Sequence, residues 1–155
     1  MAAAAESPPE SVDFAVRAAV YDGAIGSGAV PTSAQLAERL ALQRSRVHES
    51  LERLAAAKTL VLQLESREIL MASPFSAVPT PFAVRAAGRR YYGNCVWDAL
   101  GIPAMLGADA EIEASCGCCG EAMRLAVAGG ELESVAGVVH FAIPAARWWQ
   151  DIVYN

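Results

Sequence analysis

Three prolines within residues 74–81, Pro74, Pro79 and Pro81, divide the 155-residue chain into two halves that follow different periodicities. Proline fixes φ and removes a backbone donor, so no helix or central strand is expected to run through 73–81. The stretch is expected to be a stiff linker. Its apolar members, Phe75 and Val78, suggest that it lies packed against a surface.

Before this break the pattern is helical. Phe14, Val16, Ala18, Ala19 and Tyr21 predict a helix over 11–22, stopped by Gly23, Gly26 and Gly28. Pro31-Thr32-Ser33 opens a second helix over 34–42. Val47, Leu51 and Leu54 mark a third, from 44 or 45 to 57. Two short apolar runs, 59–64 and 68–71, then read as a hairpin. Helix, helix, turn, helix and hairpin together predict a winged helix-turn-helix module over 11–72, after a frayed start at 1–10. DNA binding does not follow. Residues 1–71 carry seven basic and nine acidic side chains, net −2, and the third helix mixes Arg44, Arg46 and Arg53 with Glu49 and Glu52.

After the break the pattern becomes strand-like. A hairpin is predicted with arms 82–85 and 89–92, then a helix over 95–106 stopped by Gly107. Strands are predicted at 109–115, 121–128 and 133–143, the last interrupted at Gly137, followed by a final helical or extended segment from Pro144. The expected fold class is α+β: the helical module, then a small, mostly antiparallel sheet domain over 82–155 with packed helices. A hydrophobic fraction of 54% against 19% charged residues supports a packed core, and a net charge of −5 argues against bulk attraction to nucleic acid. The start lacks the basic, then apolar pattern of a signal peptide, and no stretch is long enough to span a membrane. The cytoplasm is the expected compartment, with the four cysteines reduced.

The chemistry concentrates at two places. In Asn94-Cys95-Val96-Trp97-Asp98, Asn94 reads as an N-cap, which puts Cys95 at the first helical position. There the helix dipole would favour its thiolate. Asp98 lies three residues on, so both side chains share a face. A soft nucleophile beside a proton carrier is the minimal set for gripping a soft metal and protonating what leaves it. The plainer alternative is a buried cysteine beside an acidic residue that complements the dipole.

The second place is Cys116-Gly117-Cys118-Cys119-Gly120, a C-x-x-C-G knuckle suited to two thiolates on one ion. Structural zinc would need Cys118 as a third ligand and His140 as a fourth; a redox pair or inert turn cysteines are the alternatives. His48 is expected to be solvated and His140 to be satisfied within an apolar strand. Trp148 and Trp149 are expected in the core or in a pocket wall.

The stretch Met71-Ala72-Ser73-Pro74-Phe75-Ser76-Ala77-Val78-Pro79-Thr80 resembles the alkylmercury (organomercurial) lyase family, as does Tyr92-Gly93-Asn94-Cys95-Val96-Trp97-Asp98-Ala99-Leu100. The likeness continues through Ile102-Pro103-Ala104-Met105-Leu106-Gly107 into the strand ending at Cys116, and spans about 30–155. It implies protonolysis of carbon–mercury bonds, with Cys95 as nucleophile and mercury ligand, Asp98 as proton donor and Cys116 as a structural cysteine. Soft thiolates prefer a soft ion such as mercury(II). The resemblance implies an organomercurial substrate, no required cofactor, mercury(II) as bound product, and a small-molecule thiol or mercuric reductase as acceptor. Cys95, Cys116, Cys118 and Cys119 are the candidate metal ligands, with zinc at the cluster as an option. The family's second catalytic cysteine falls beyond the last helix-like segment. The matching stretch here, 149–155, has none, so Cys118, Cys119 or a small-molecule thiol would have to supply the second sulfur. The chain is accordingly expected to be truncated at its C-terminus. The alternatives are a metal-binding winged-helix regulator and a catalytically inactive family member.

Overall fold

The computed structural model describes residues 9–133 and 137–153. Three helices form the first layer: α1 (Pro9–Ser27), α2 (Ser33–Leu40) and α3 (Arg44–Ala56). α2 begins with a reciprocal cap. The Thr32 hydroxyl accepts the Gln35 N–H, and the Gln35 side chain accepts the Thr32 N–H at 2.8 Å. Val12, Val16, Val20, Leu36, Val47 and Leu51 interlock in a core closed by Leu60 and Ile69. Burying each such side chain stabilises the fold by about 1.5–3 kcal/mol.

β1 (Val61–Leu62), β2 (Ile69–Ala72) and β3 (Phe75–Ser76) form a small antiparallel sheet beneath the helices. β3 corrects the linker expectation. The cis Ser73–Pro74 peptide turns the chain, and Phe75 and Ser76 pair back onto Ala72 and Met71. The prolines therefore flank a strand instead of preventing one. α1 is also longer than expected, running through Gly23 and Gly26. At Gly23 an added Cβ would meet the Pro31 ring at 3.0 Å, so this glycine serves a close approach and not a helix stop.

The second sheet is antiparallel throughout, in the order β5-β4-β6-β7-β8: β4 (Ala83–Ala86), β5 (Arg89–Tyr92), β6 (Ala110–Ser115), β7 (Ala122–Ala128) and β8 (Glu131–Leu132). α4 (Val96–Leu106) covers β4 and β6 and ends at Gly107 in the left-handed conformation. Val84, Tyr91, Ala99, Ile102, Ile112 and Leu125 fill this core. The strand expected over 133–143 is not formed in its described part. On that edge of β7 the described pairing ends with β8, and Val138 is 92% exposed. His140 is accordingly exposed and not a satisfied sheet residue. Residues 145–150 form a 3₁₀ turn, with Trp149 44% exposed beneath the Lys58 ammonium, 5.8 Å from its ring centre.

The two cores are joined by α1. Tyr21 and Val30 pack against both, and Ala24 lies in the second. The buried Tyr91 hydroxyl donates to the Ile25 carbonyl at 3.0 Å, which satisfies a polar group that would otherwise be costly to bury.

Candidate active site

The site is built at the junction between β5 and α4. Thr80 donates its hydroxyl to the Gly93 carbonyl at 2.6 Å, and the Gly93 N–H donates to Phe82 at 2.9 Å. Gly93 also bridges to Phe75. Glycine is required here by space. An added Cβ would stand 2.6 Å from the Ala99 nitrogen and 3.0 Å from the Cys95 carbonyl oxygen. The first turn of α4 is thereby pressed onto the end of β5.

Cys95, and not Asn94, is the N-cap of α4, so the helix starts one residue later than the sequence pattern suggests, with Cys95 in extended φ/ψ of −144° and −179°. Its carbonyl accepts the Ala99 N–H at 2.9 Å. Its thiol closes no capping hydrogen bond, although the N–H groups of Asp98 and Trp97 face it and pull weakly toward the thiolate. Burial outweighs that pull and, with the charge of Asp98, raises the thiol above its ordinary pKa. The dipole expectation of a free thiolate is thus overturned: half-burial beside a carboxylate dominates.

Asp98 occupies the first turn of α4. Burial raises its carboxyl pKa, opposed by Asn94, whose Nδ2 donates to Oδ2 at 2.8 Å. The other end of that amide, Oδ1, is buried and has no hydrogen-bond partner among the described residues. Tyr21 of α1 is also within electrostatic reach. Its phenol is raised first by burial and also by Asp98, with Arg17 acting the other way, and its hydroxyl donates to the Ser73 carbonyl at 3.2 Å. Cys95 and Asp98 therefore form one half-buried notch at the start of α4, in which the Asp98 charge disfavours the Cys95 thiolate. The indole of Trp97, between them in sequence, is 61% exposed.

Asn94 does not take the N-cap place expected of it; its bond to Asp98 follows from an i, i+4 spacing that the sequence displays. Tyr21 carries no such signal, because only the tertiary fold brings α1 to α4.

Cys116, Cys118 and Cys119 lie in the turn between β6 and β7. Among the described residues no three of histidine, cysteine, aspartate or glutamate converge to hold a metal ion. Among the described residues Cys118 and His140 are both exposed, and they do not join Cys116 and Cys119 in a four-ligand cage. Two surface grooves, one between α1 and α2 and one along Arg85, Arg89 and Arg90, include neither Cys95 nor Asp98. Of the stretch 149–155 that the resemblance sets against the family's second cysteine, residues 154 and 155 lie outside the described residues.

The alkylmercury lyase family model matches residues 75–154, a span that contains both the notch and the cysteine turn, and the chain belongs to that family. A solved structure, "Crystal structure of the mercury-bound form of MerB2", is similar with a TM-score of 0.62 at 25% identity, over 85% of this chain and 62% of that chain. This chain thus spans less than two thirds of that relative. No curated protein sequence matches it. The family match begins at Phe75, so the helical module enters the likeness through the fold.

Proposed function

We propose that this chain cleaves carbon–mercury bonds by protonolysis, with Cys95 as the mercury ligand and Asp98 as the proton carrier. The observation that carries the reading is the shared, half-buried notch, where burial keeps both groups easier to protonate than usual. One proton held between a thiol and a carboxylate supplies both steps. As the organomercurial approaches, the Cys95 sulfur binds mercury, its proton passes to Asp98, and the ligand originally on mercury departs as an anion. Electron donation from sulfur makes the mercury-bound carbon more basic. Asp98 then delivers the proton to that carbon, the carbon–mercury bond breaks, and hydrocarbon leaves while mercury(II) stays on sulfur. A small-molecule thiol supplies the second sulfur and carries mercury(II) away, to a mercuric reductase or another acceptor. When Asp98 holds the proton it becomes a donor, and the unpartnered Oδ1 of Asn94 can accept from it once the amide turns over.

The N-terminal helices and β1–β3 read as a winged-helix module used for packing. Arg44 pairs with Glu68 at 3.9 Å and Arg53 with Asp13 at 2.8 Å, which leaves a weak surface for DNA. Among the described residues no helix is long and apolar enough to cross a membrane. The test is incubation of the purified chain with phenylmercury or methylmercury, with and without added thiol. Benzene or methane in the headspace, absent with Cys95→Ser, supports the reading; no hydrocarbon under either condition removes it.

A further inference from the structure

The hairpin joining β6 to β7 is a second candidate for soft-ion chemistry. The Cys116 N–H donates to the Glu121 carbonyl and the Gly120 N–H donates to the Cys116 carbonyl, both at 2.8 Å. The second bond closes one helical turn, in which side chains three apart are neighbours. Gly120 leaves that turn with φ of +74°, a left-handed conformation that glycine adopts freely. The Cys119 thiol faces the Cys116 sulfur, as do the N–H groups of Cys118 and Cys119. Cys119 is exposed and Cys116 partly so, which leaves the pair open to an ion arriving from solvent. No third histidine, cysteine, aspartate or glutamate among the described residues completes a cage.

We infer that Cys116 and Cys119 form a two-coordinate site for a thiophilic d¹⁰ ion, mercury(II) foremost, that does not need the Cys95 sulfur. Two facing sulfurs without further ligands suit an ion that accepts linear coordination and fail one that needs four donors. Binding is a ligand exchange with no redox step. Mercury(II) held by two small thiols passes to the two protein sulfurs, and the two protons they release restore the small thiols. The second protein sulfur binds at high effective concentration once the first is engaged, so the pair should outcompete separate monothiols. The site goes beyond the proposed cleavage reaction and does not depend on it.

The Cys95→Ser chain separates the two. It is mixed with mercury(II) supplied as its bis-glutathione complex, freed of small molecules under excess glutathione, and weighed intact by native mass spectrometry. One retained mercury per chain is expected, with the mass lowered by the two displaced hydrogens. Adding Cys119→Ser should weaken retention roughly 100-fold or more, whereas adding Cys118→Ser should leave it intact. Thiolate-to-mercury absorption in the ultraviolet should follow the same order. No retention by Cys95→Ser, or retention that survives Cys119→Ser or is lost with Cys118→Ser, overturns the assignment.

Discussion

Cys95 and Cys116 both face backbone N–H groups at the start of a tight turn, yet their surroundings move them in opposite directions. Cys116, at the surface, is lowered, first by the N–H of Cys119, then by that of Cys118 and by the Cys119 thiol. Cys95 is raised because burial comes first and Asp98 adds a negative charge. Oriented N–H groups therefore do not by themselves make a reactive thiolate; what decides the sign is how much water remains and which charge stands beside the sulfur. In the proposed chemistry the difference is a division of labour. The half-buried Cys95 thiol keeps its proton for use, and the Cys116–Cys119 pair is ready to hold an ion.

The largest expected effect comes from removing the proton carrier. Asp98→Asn should lower hydrocarbon release about 10²–10⁴-fold, as loss of a general acid does, while leaving mercury at the Cys116–Cys119 turn unchanged. The same substitution should raise thermal stability at neutral pH. Burial holds the folded carboxyl above its ordinary value of 3.8. Its contribution to stability is complete below that unfolded value and is lost as pH rises through the raised folded one. The ionised side chain is therefore a cost at neutral pH that asparagine removes, and calorimetry at acid and neutral pH should show the gain only at the higher pH.

Next in size is the backbone. Gly93→Ala places a methyl group 2.6 Å from the Ala99 nitrogen, and backbone cannot yield as a flexible side chain does. A cost of about 1–3 kcal/mol is expected in denaturant unfolding, together with loss of cleavage. Alkylation then compares the two sulfurs directly. At neutral pH iodoacetamide should label Cys116 before Cys95, and Asp98→Asn should quicken Cys95 alone, both followed by peptide mass mapping. The smallest effect belongs to Glu121, which opposes the Cys116 thiolate. Glu121→Gln should speed Cys116 labelling slightly, by less than any change at Asp98 brings to Cys95.

The same contrast shows what the sequence could reveal. Local signals were readable: the helix opening at Pro31-Thr32-Ser33, the β4–β5 hairpin, α4 with its Gly107 stop, and the Cys95–Asp98 spacing all rest on neighbours within a few residues. Signals that depended on distant packing were not. The continuation of α1 through Gly23 needs Pro31 against it, and β3 inside the proline stretch needs β2 beside it. The sign of the Cys95 shift needed burial, which spacing cannot report. The strand expected near His140 had the right residue types, yet after the Glu133 N–H reaches the Ala126 carbonyl none of its described residues enters a strand, and apolar composition alone could not distinguish an exposed segment.

Single-turnover release of benzene from phenylmercury, measured with added small-molecule thiol in a chain carrying Cys118→Ser and Cys119→Ser, tests the partition most directly. Release at the wild-type rate, abolished by further Asp98→Asn, is the predicted result. Release that collapses with the turn cysteines, or that persists without the Asp98 carboxyl, would contradict it.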